Sequence, residues 1–247
     1  MSVSTLSIFG REFGAEVTKS RRMPEFAIPT LVLPVVFYGL FGILLAKNAT
    51  AAPYLLATFG VFAALGPSLF GFGIGIATER EEGTLALKSV SPMPVLVYPL
   101  AKLAMTVLFV AIVLAMIYAL GVIAGGVSFT PAQWAGLLTV HLVSVLPFSL
   151  MGLFLGYTVK AQGAIAFANV LFFPLAVLGG LWMPIFIFPT FMQVIAQALP
   201  SFHLAQLALM AGGIIPAEGM WIHVAAATAW TVVLAILVAW AVRRQAD

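Results

Sequence analysis

Six stretches of this chain stay apolar for about 20 residues or more, roughly 27–46, 54–77, 99–124, 134–158, 162–183 and 219–241, and no other feature narrows its possible folds as far. A helix needs about 20 mostly apolar residues to cross the hydrocarbon core of a bilayer, about 30 Å thick. Inside that core every backbone N–H and C=O must be paired within the structure, so only helices and closed barrels can span it. Continuous rather than alternating apolar runs of this length are helical. A water-facing surface is not affordable here: 63% of the residues are hydrophobic and 8% are charged, against about 25% charged in soluble domains. The expected fold is therefore an all-α integral membrane domain of six spans, continuous over 1–247.

The breaks between the runs carry turn or charge signals: Lys47-Asn48 to Pro53, the run Glu79-Arg80-Glu81-Glu82, Gly125-Gly126 to Pro131, Lys160, and a proline-rich stretch from Pro184 to Pro216. With six spans, the segments 1–26, 78–98, 159–161 and 242–247 share one side of the membrane. Arg11, Lys19, Arg21, Arg22, Arg80, Lys88, Lys160, Arg243 and Arg244 lie in them, and Lys102 sits at the inner end of the third span. Ten of the 11 basic residues thus fall on one side, with Lys47 alone opposite. Positive charge is retained on the cytoplasmic side, which predicts cytosolic N- and C-termini in a bacterial cytoplasmic membrane. The first 26 residues carry Arg11, Glu12, Glu16, Lys19, Arg21 and Arg22 and no compact apolar core, so they read as part of the working chain rather than as a cleaved signal.

Leu6, Phe9, Phe13 and Val17 recur at three- and four-residue steps, with Arg11, Glu12, Glu16 and Lys19 on other faces. This pattern predicts an amphipathic helix over 1–24, lying in the membrane interface and ended by Pro24. Residues 184–217 hold no Lys or Arg and are cut by Pro184, Pro189, Pro200 and Pro216 into pieces too short to span. Two short helices dipping back from the outer side are expected there. Gly71-x3-Gly75, Gly121-x3-Gly125 and Gly152-x3-Gly156 each place two glycines on one helix face, where backbones can approach closely. Phe59, Phe62 and Phe70 in the second span, and Phe167, Phe172 and Phe173 with Asn169 in the fifth, either line an apolar path or serve as core and lipid-facing aromatics.

Several chemistries lack their residues. There is no cysteine, hence no disulfide or thiolate chemistry, and no G-x4-G-K-[ST] loop for ATP. His141, His203 and His223 are scattered, so no metal site and no catalytic residue is expected. Coupled transporters, channels and membrane enzymes place ionisable groups at membrane depth. His141, read as a hydrogen-bonded bystander near a helix end, is the only candidate here. The glutamates of the charged run are expected at a water-exposed surface.

The whole arrangement resembles the permeases of ABC-2-type transporters, the membrane subunits of ATP-binding-cassette exporters. The resemblance is carried by Glu79-Arg80-Glu81-Glu82-Gly83-Thr84-Leu85 with Ser91-Pro92, by the basic-ended N-terminal helix, and by Leu199-Pro200-Ser201-Phe202-His203 before the last span. Many members carry a basic residue just after that last stretch, where this chain has Leu209 and Met210. The resemblance implies that 79–93 is a cytosolic coupling segment docking into a separate ATPase subunit. Gly83 would turn the chain, Thr84 would cap a short helix Leu85–Val90, and Ser91-Pro92 would end it. Leu85 and Leu87 would supply apolar contact, with the acidic cluster and Arg80 at the rim. It also implies a connector helix carrying Leu6, Phe9, Arg11 and Phe13. Expected partners are an ABC ATPase, a second permease copy or close relative, and membrane lipids, but not nucleic acid. ATP and Mg²⁺ would bind the ATPase, not this chain. The implied function is ATP-driven export of a hydrophobic or amphipathic cargo such as a drug or lipid. Polysaccharide export is the alternative within the family, and a membrane enzyme or channel the alternative outside it.

Overall fold

The computed structural model describes residues 4–45, 50–91 and 93–246, and all regular structure among them is helical. Helix α1 (Thr5–Arg21) lies ahead of α2 (Pro24–Tyr38), which runs on into a π-helical turn, Gly39–Leu44. The next continuous rod is α3 (Ala51–Gly66), a π-helical segment Pro67–Ile74 and α4 (Gly75–Glu81). A short helix α5 (Thr84–Ser89) precedes α6 (Val97–Ile123) and α7 (Pro131–Thr158). Then come α8 (Ala161–Val177), a 3₁₀ turn Ile185–Ile187, α9 (Thr190–Ala196), α10 (Pro200–Ala211) and α11 (Met220–Ala246). Lys47 and Asn48 lie outside the described residues.

Five of these rods are long and apolar enough to cross a membrane: Pro24–Leu44, Ala51–Glu81, Val97–Ile123, Pro131–Thr158 and Met220–Arg244. They coincide with five of the six expected spans. The expected span 162–183 forms a helix of only 17 residues, about 25 Å at 1.5 Å per residue. Gly180 ends any continuation with a φ of +75°, a left-handed conformation that a side chain resists. The second span runs to Glu81 rather than stopping at 77, because nothing breaks the helix before Gly83 and its charges find partners. At the other end of the bundle, α9 and α10 meet at 89°. Pro200 stands in the first turn of α10, the position where a missing N–H costs no helical hydrogen bond.

The rod containing α3 is the innermost one. Leu56, Val61 and Leu65 are fully buried in a core shared with Val110, Val113 and Ile117 of α6 and with Leu137 and Phe148 of α7. The flanks of α2, α8 and α11 expose Val32, Val36, Val170, Val232 and Ile236, as membrane-facing helices do. Glycine sets how closely the rods approach. A Cβ on Gly152 would lie 2.4 Å from the Ser68 carbonyl oxygen, and one on Gly156 2.9 Å from Ile76 Cβ. Gly121 likewise faces Leu56 and the Tyr38 hydroxyl. Gly71 and Gly75 make no such seam, their nearest neighbours being at 3.6 and 3.8 Å; Gly73 faces Gly152 instead.

The start of α7 shows how local sequence positions a rod. Thr130 Oγ1 accepts from Gln133 N (3.3 Å) while Gln133 Oε1 accepts from Thr130 N (2.8 Å), a reciprocal cap that pairs two otherwise orphan donors. Gln133 Nε2 also donates to Gly212 O at 3.0 Å, tying this cap to the end of α10. Midway along α7, His141 is fully buried rather than near a helix end. Its Nε2 lies 2.9 Å from Ala57 O, and its Nδ1 2.7 Å from the Tyr118 hydroxyl. A carbonyl only accepts, so Nε2–H donates to Ala57 and the Tyr118 O–H donates to Nδ1. Tyr118→Phe leaves that nitrogen buried and unpaired. We expect it to lower unfolding stability by about 1–3 kcal/mol, read as a lower denaturant midpoint with an unchanged slope.

Candidate functional site

The α1 end of the bundle gathers the charged residues that the apolar rods exclude. On α1, Ser4 Oγ accepts from Ser7 N at 3.3 Å and starts the helix. The apolar stripe is only partly covered: Phe9 and Phe13 stack with ring centroids 6.3 Å apart, while Leu6 is exposed. Arg11 is exposed as well. The other stripe, Glu12, Glu16 and Lys19 at four- and three-residue steps, turns toward the bundle. Glu12 pairs with Lys88, Glu16 with Lys102 at 3.0 Å, and Lys19 with Glu79 at 2.7 Å.

Glu79 is the centre of this network. It is buried at 4% exposure and accepts from Lys19, from Lys102 (2.8 Å) and from the Tyr98 hydroxyl (2.6 Å). Lys102 is buried at 5% and divides its ammonium between Glu79 and Glu16. Lys88 lies 4.4 Å and Lys102 5.3 Å from the centre of the Tyr98 ring, on the face where the ring quadrupole attracts cations. Three carboxylates meet three ammoniums, so the cluster is neutral in sum. A buried charge is tolerable only when paired and hydrogen-bonded, and Glu79 has three donors. The expectation of a water-exposed position is corrected for Glu79: its helix continues past the predicted end of the span and rotates it inward between α1 and α6.

Arg80 turns inward too. Its guanidinium donates to the carbonyls of Tyr157 and of Val159, the latter at 2.6 Å, satisfying acceptors that the last turn of α7 leaves unpaired. Glu81 and Glu82 remain exposed. Gly83 then adopts φ +76° and is the residue preceding α5; only glycine takes that conformation without strain. Thr84 is therefore the first residue of the helix and makes no side-chain cap, contrary to the expected role. Leu85 faces inward against the small cluster of Phe72, Ile76 and Tyr98, whereas Leu87 and Val90 project outward at 72% and 83% exposure. Ser91 Oγ donates to Lys88 O at 2.7 Å and closes the segment. Pro92 lies outside the described residues.

The short helix α5, with its apolar outer tip, is thus joined to α4 through Gly83 and to α1 through Lys88 and Glu12, while α4 is held to α6 by Glu79 and to α7 by Arg80. Sequence reading missed Glu12, Glu16, Lys19, Lys88, Tyr98 and Lys102. A signal for them existed: a second helical stripe, of charged residues, on α1, and a Tyr98/Lys102 pair one turn apart at the foot of an apolar helix.

The aromatic residues separate into two groups. Phe59 and Phe62 are buried in the core, so they line no open surface of the chain. Phe62 meets Phe172 at 5.5 Å, and Phe172 meets Phe70 at 5.3 Å. Phe173 and Trp182 pack at 6.2 Å, with Trp182 also against Phe37 and Phe62. Phe167, Phe173 and Asn169 are exposed along α8, and Asn169 Nδ2 donates within its own helix to Ile165 O at 2.8 Å. Among the described residues no group of three or more His, Asp or Glu is placed to hold a metal ion.

The sequence pattern of the ABC-2 type transporter family matches residues 12–212. Among curated proteins, "Putative transport permease YvfS" of Bacillus subtilis (strain 168) is 30% identical over 203 residues, covering 80% of this chain and 82% of that protein.

Proposed function

Because the chain belongs to the ABC-2 type transporter family, we propose that it is the permease subunit of an ATP-driven exporter and that α5 is the element through which a separate ATPase subunit moves it. Membership implies an ABC ATPase partner, which would bind ATP and Mg²⁺. This chain would supply the path and no catalytic residue. The whole of 1–247 would act as one transmembrane domain, with α1 as connector helix, 79–93 as coupling segment and 184–217 as an external re-entrant hairpin. Both termini would face the cytosol of a bacterium, as the segregation of Lys and Arg favours.

The observation that carries this reading is the exposed apolar tip of α5, Leu87 and Val90, on a helix fastened by Lys88 to α1 and joined through Gly83 to α4, whose Glu79 and Arg80 hold α6 and α7. An apolar contact ringed by charge is how a docking element gains affinity at its centre and register at its rim. Closure of an ATPase dimer would displace α5, and the ion pairs would pass that displacement to the rods as a rigid-body movement. Two permease copies, or this chain with a close relative, would enclose the path. The exposed apolar faces of α2, α8 and α11, with Phe167 and Phe173 among them, suit a second subunit and lipid. A hydrophobic or amphipathic cargo fits their character better than a polysaccharide.

The test is co-purification with the ATPase subunit. Leu87→Glu with Val90→Glu is expected to leave the permease inserted and monodisperse while reducing ATPase capture and stimulation at least tenfold, as loss of a central apolar anchor does. Full capture and stimulation by that double variant would remove α5 from the docking role.

A further inference from the structure

A cavity of about 280 Å³ lies between α1, the start of α2, the π-helical segment and α6, close to the lower limit of about 300 Å³ for small-molecule sites. Its inner wall is formed by Phe26, Phe70, Phe72, Met105 and Phe109. Gly71 and Gly75 also line it, and their missing side chains keep it open: the nearest atoms to a Cβ at either position are at 3.6 and 3.8 Å. Of the three paired-glycine motifs, theirs is the one that forms no packing seam. At the polar side stand Glu16, Lys19, Lys102 and Glu82.

The charges at that side are not equivalent. Lys102 is committed to Glu16 and Glu79, and Lys19 to Glu79, so each ammonium already has a carboxylate partner. Glu82 is exposed and, among the described residues, its carboxylate has no hydrogen-bond or ion-pair partner. The uncommitted charge is therefore negative, and it faces a wall of aromatic rings and methionine sulfur. Aromatic faces attract cations, and the other polar groups of the lining are the neutral hydroxyls of Ser20, Thr78 and Thr106.

The geometry points to a binding site for a lipophilic cation, its charged centre at Glu82 and its apolar body among Phe26, Phe70 and Phe109. The assignment of such a cation as transported cargo rests on the permease reading; the binding itself does not. The site touches the same helices as the ion-pair network, so an occupant would sit beside Lys19 and Lys102 and alter the packing of α1 on α6.

Radiolabelled tetraphenylphosphonium, measured by scintillation proximity on the full chain in zwitterionic nanodiscs without ATPase or nucleotide, is the experiment. Saturable binding is expected. Gly71→Leu, which fills the cavity, should weaken it at least tenfold. Glu82→Gln should weaken it about fivefold, as an exposed ion pair allows. Tetraphenylborate, similar in shape and opposite in charge, should not compete. No saturable binding, equal affinity in both variants, or equal competition by tetraphenylborate would overturn the site. If Gly71→Leu does not yield folded protein, Phe109→Ala with Glu82→Gln decides the same question. Binding that persists while the α5 double variant still stimulates the ATPase would leave this site standing and remove the coupling assignment. The reverse pair of results would do the opposite.

Discussion

Glu79→Gln is expected to lower the unfolding stability of this protein by about 3–5 kcal/mol, the cost of leaving a buried charge uncompensated. For a chain of this size that corresponds to a melting temperature lower by roughly 6–20 °C, at 2–4 °C per kcal/mol. Glu79 accepts from Lys19, Lys102 and Tyr98 at 2.7, 2.8 and 2.6 Å. Glutamine keeps the shape and offers one carbonyl oxygen, but cannot neutralise Lys102, which is 5% exposed and left with Glu16 alone. The second substitution Lys102→Met should restore part of the loss, because it removes the ammonium that the first one stranded. A double-mutant cycle followed by thermal unfolding in detergent reads this as a coupling of at least 1 kcal/mol. Strictly additive losses would mean that the two side chains do not act as a pair. The conserved-charge change Glu79→Asp tests reach instead: the carboxylate remains but is one methylene short of its donors.

Gly152→Val is expected to abolish the folded, monodisperse protein. The added Cβ would stand 2.4 Å from Ser68 O, 3.1 Å from Gly73 N and 3.2 Å from Phe72 Cβ. Two of those atoms are backbone and cannot rotate away, so α7 would have to separate from the π-helical segment. The same movement would break the buried contacts of Ser68 with Val145 O and Ser149. Overpacking in a well-packed core costs about 1–3 kcal/mol even where side chains can adjust, and here the obstacle is main chain. Gly152→Ala should give an intermediate loss. Gly14→Ala on α1, with nothing within 4 Å of its Cβ, should stabilise by up to about 1 kcal/mol through helix propensity. Fluorescence-detected size exclusion and thermal unfolding compare the three. A Gly152→Val protein with wild-type elution and melting would show that the seam between α7 and the second rod is far looser than described.

Some local features were plain in the residues. Gly125-Gly126 to Pro131 reads as a break between spans, and α7 starts at Pro131. Gly83 is a turn residue in a charged loop, and the structure gives it the left-handed conformation. Other features misled because a residue type has more than one way to be satisfied. Glu79 and Arg80 read as surface groups since charges are rarely buried unpaired, yet their partners lie far along the chain: Lys19 sixty residues before Glu79, Val159 79 residues after Arg80. Leu85 and Leu87 read as equivalent apolar positions. On a helix two residues apart they point to different sides, so one packs inward and one faces out. Phe59 and Phe62 were candidates for a path, but depth in a bundle depends on which rod lies at its centre, and periodicity along one helix does not carry that.

By itself, the sequence determined that this chain crosses a membrane several times, roughly where each rod begins and ends, and which segments carry the charge. Those properties follow from transfer free energies and backbone hydrogen bonding, which act residue by residue along the chain. Only the tertiary structure decided that α3 lies innermost, that the fifth apolar run stops as a helix at Val177, and that Glu79 is the buried centre joining α1, α4 and α6. Those outcomes depend on which surfaces meet. A carboxylate in a low-dielectric site is stable only if ammoniums from distant parts of the chain arrive at the same point, and that arrival is a property of the packed helices together.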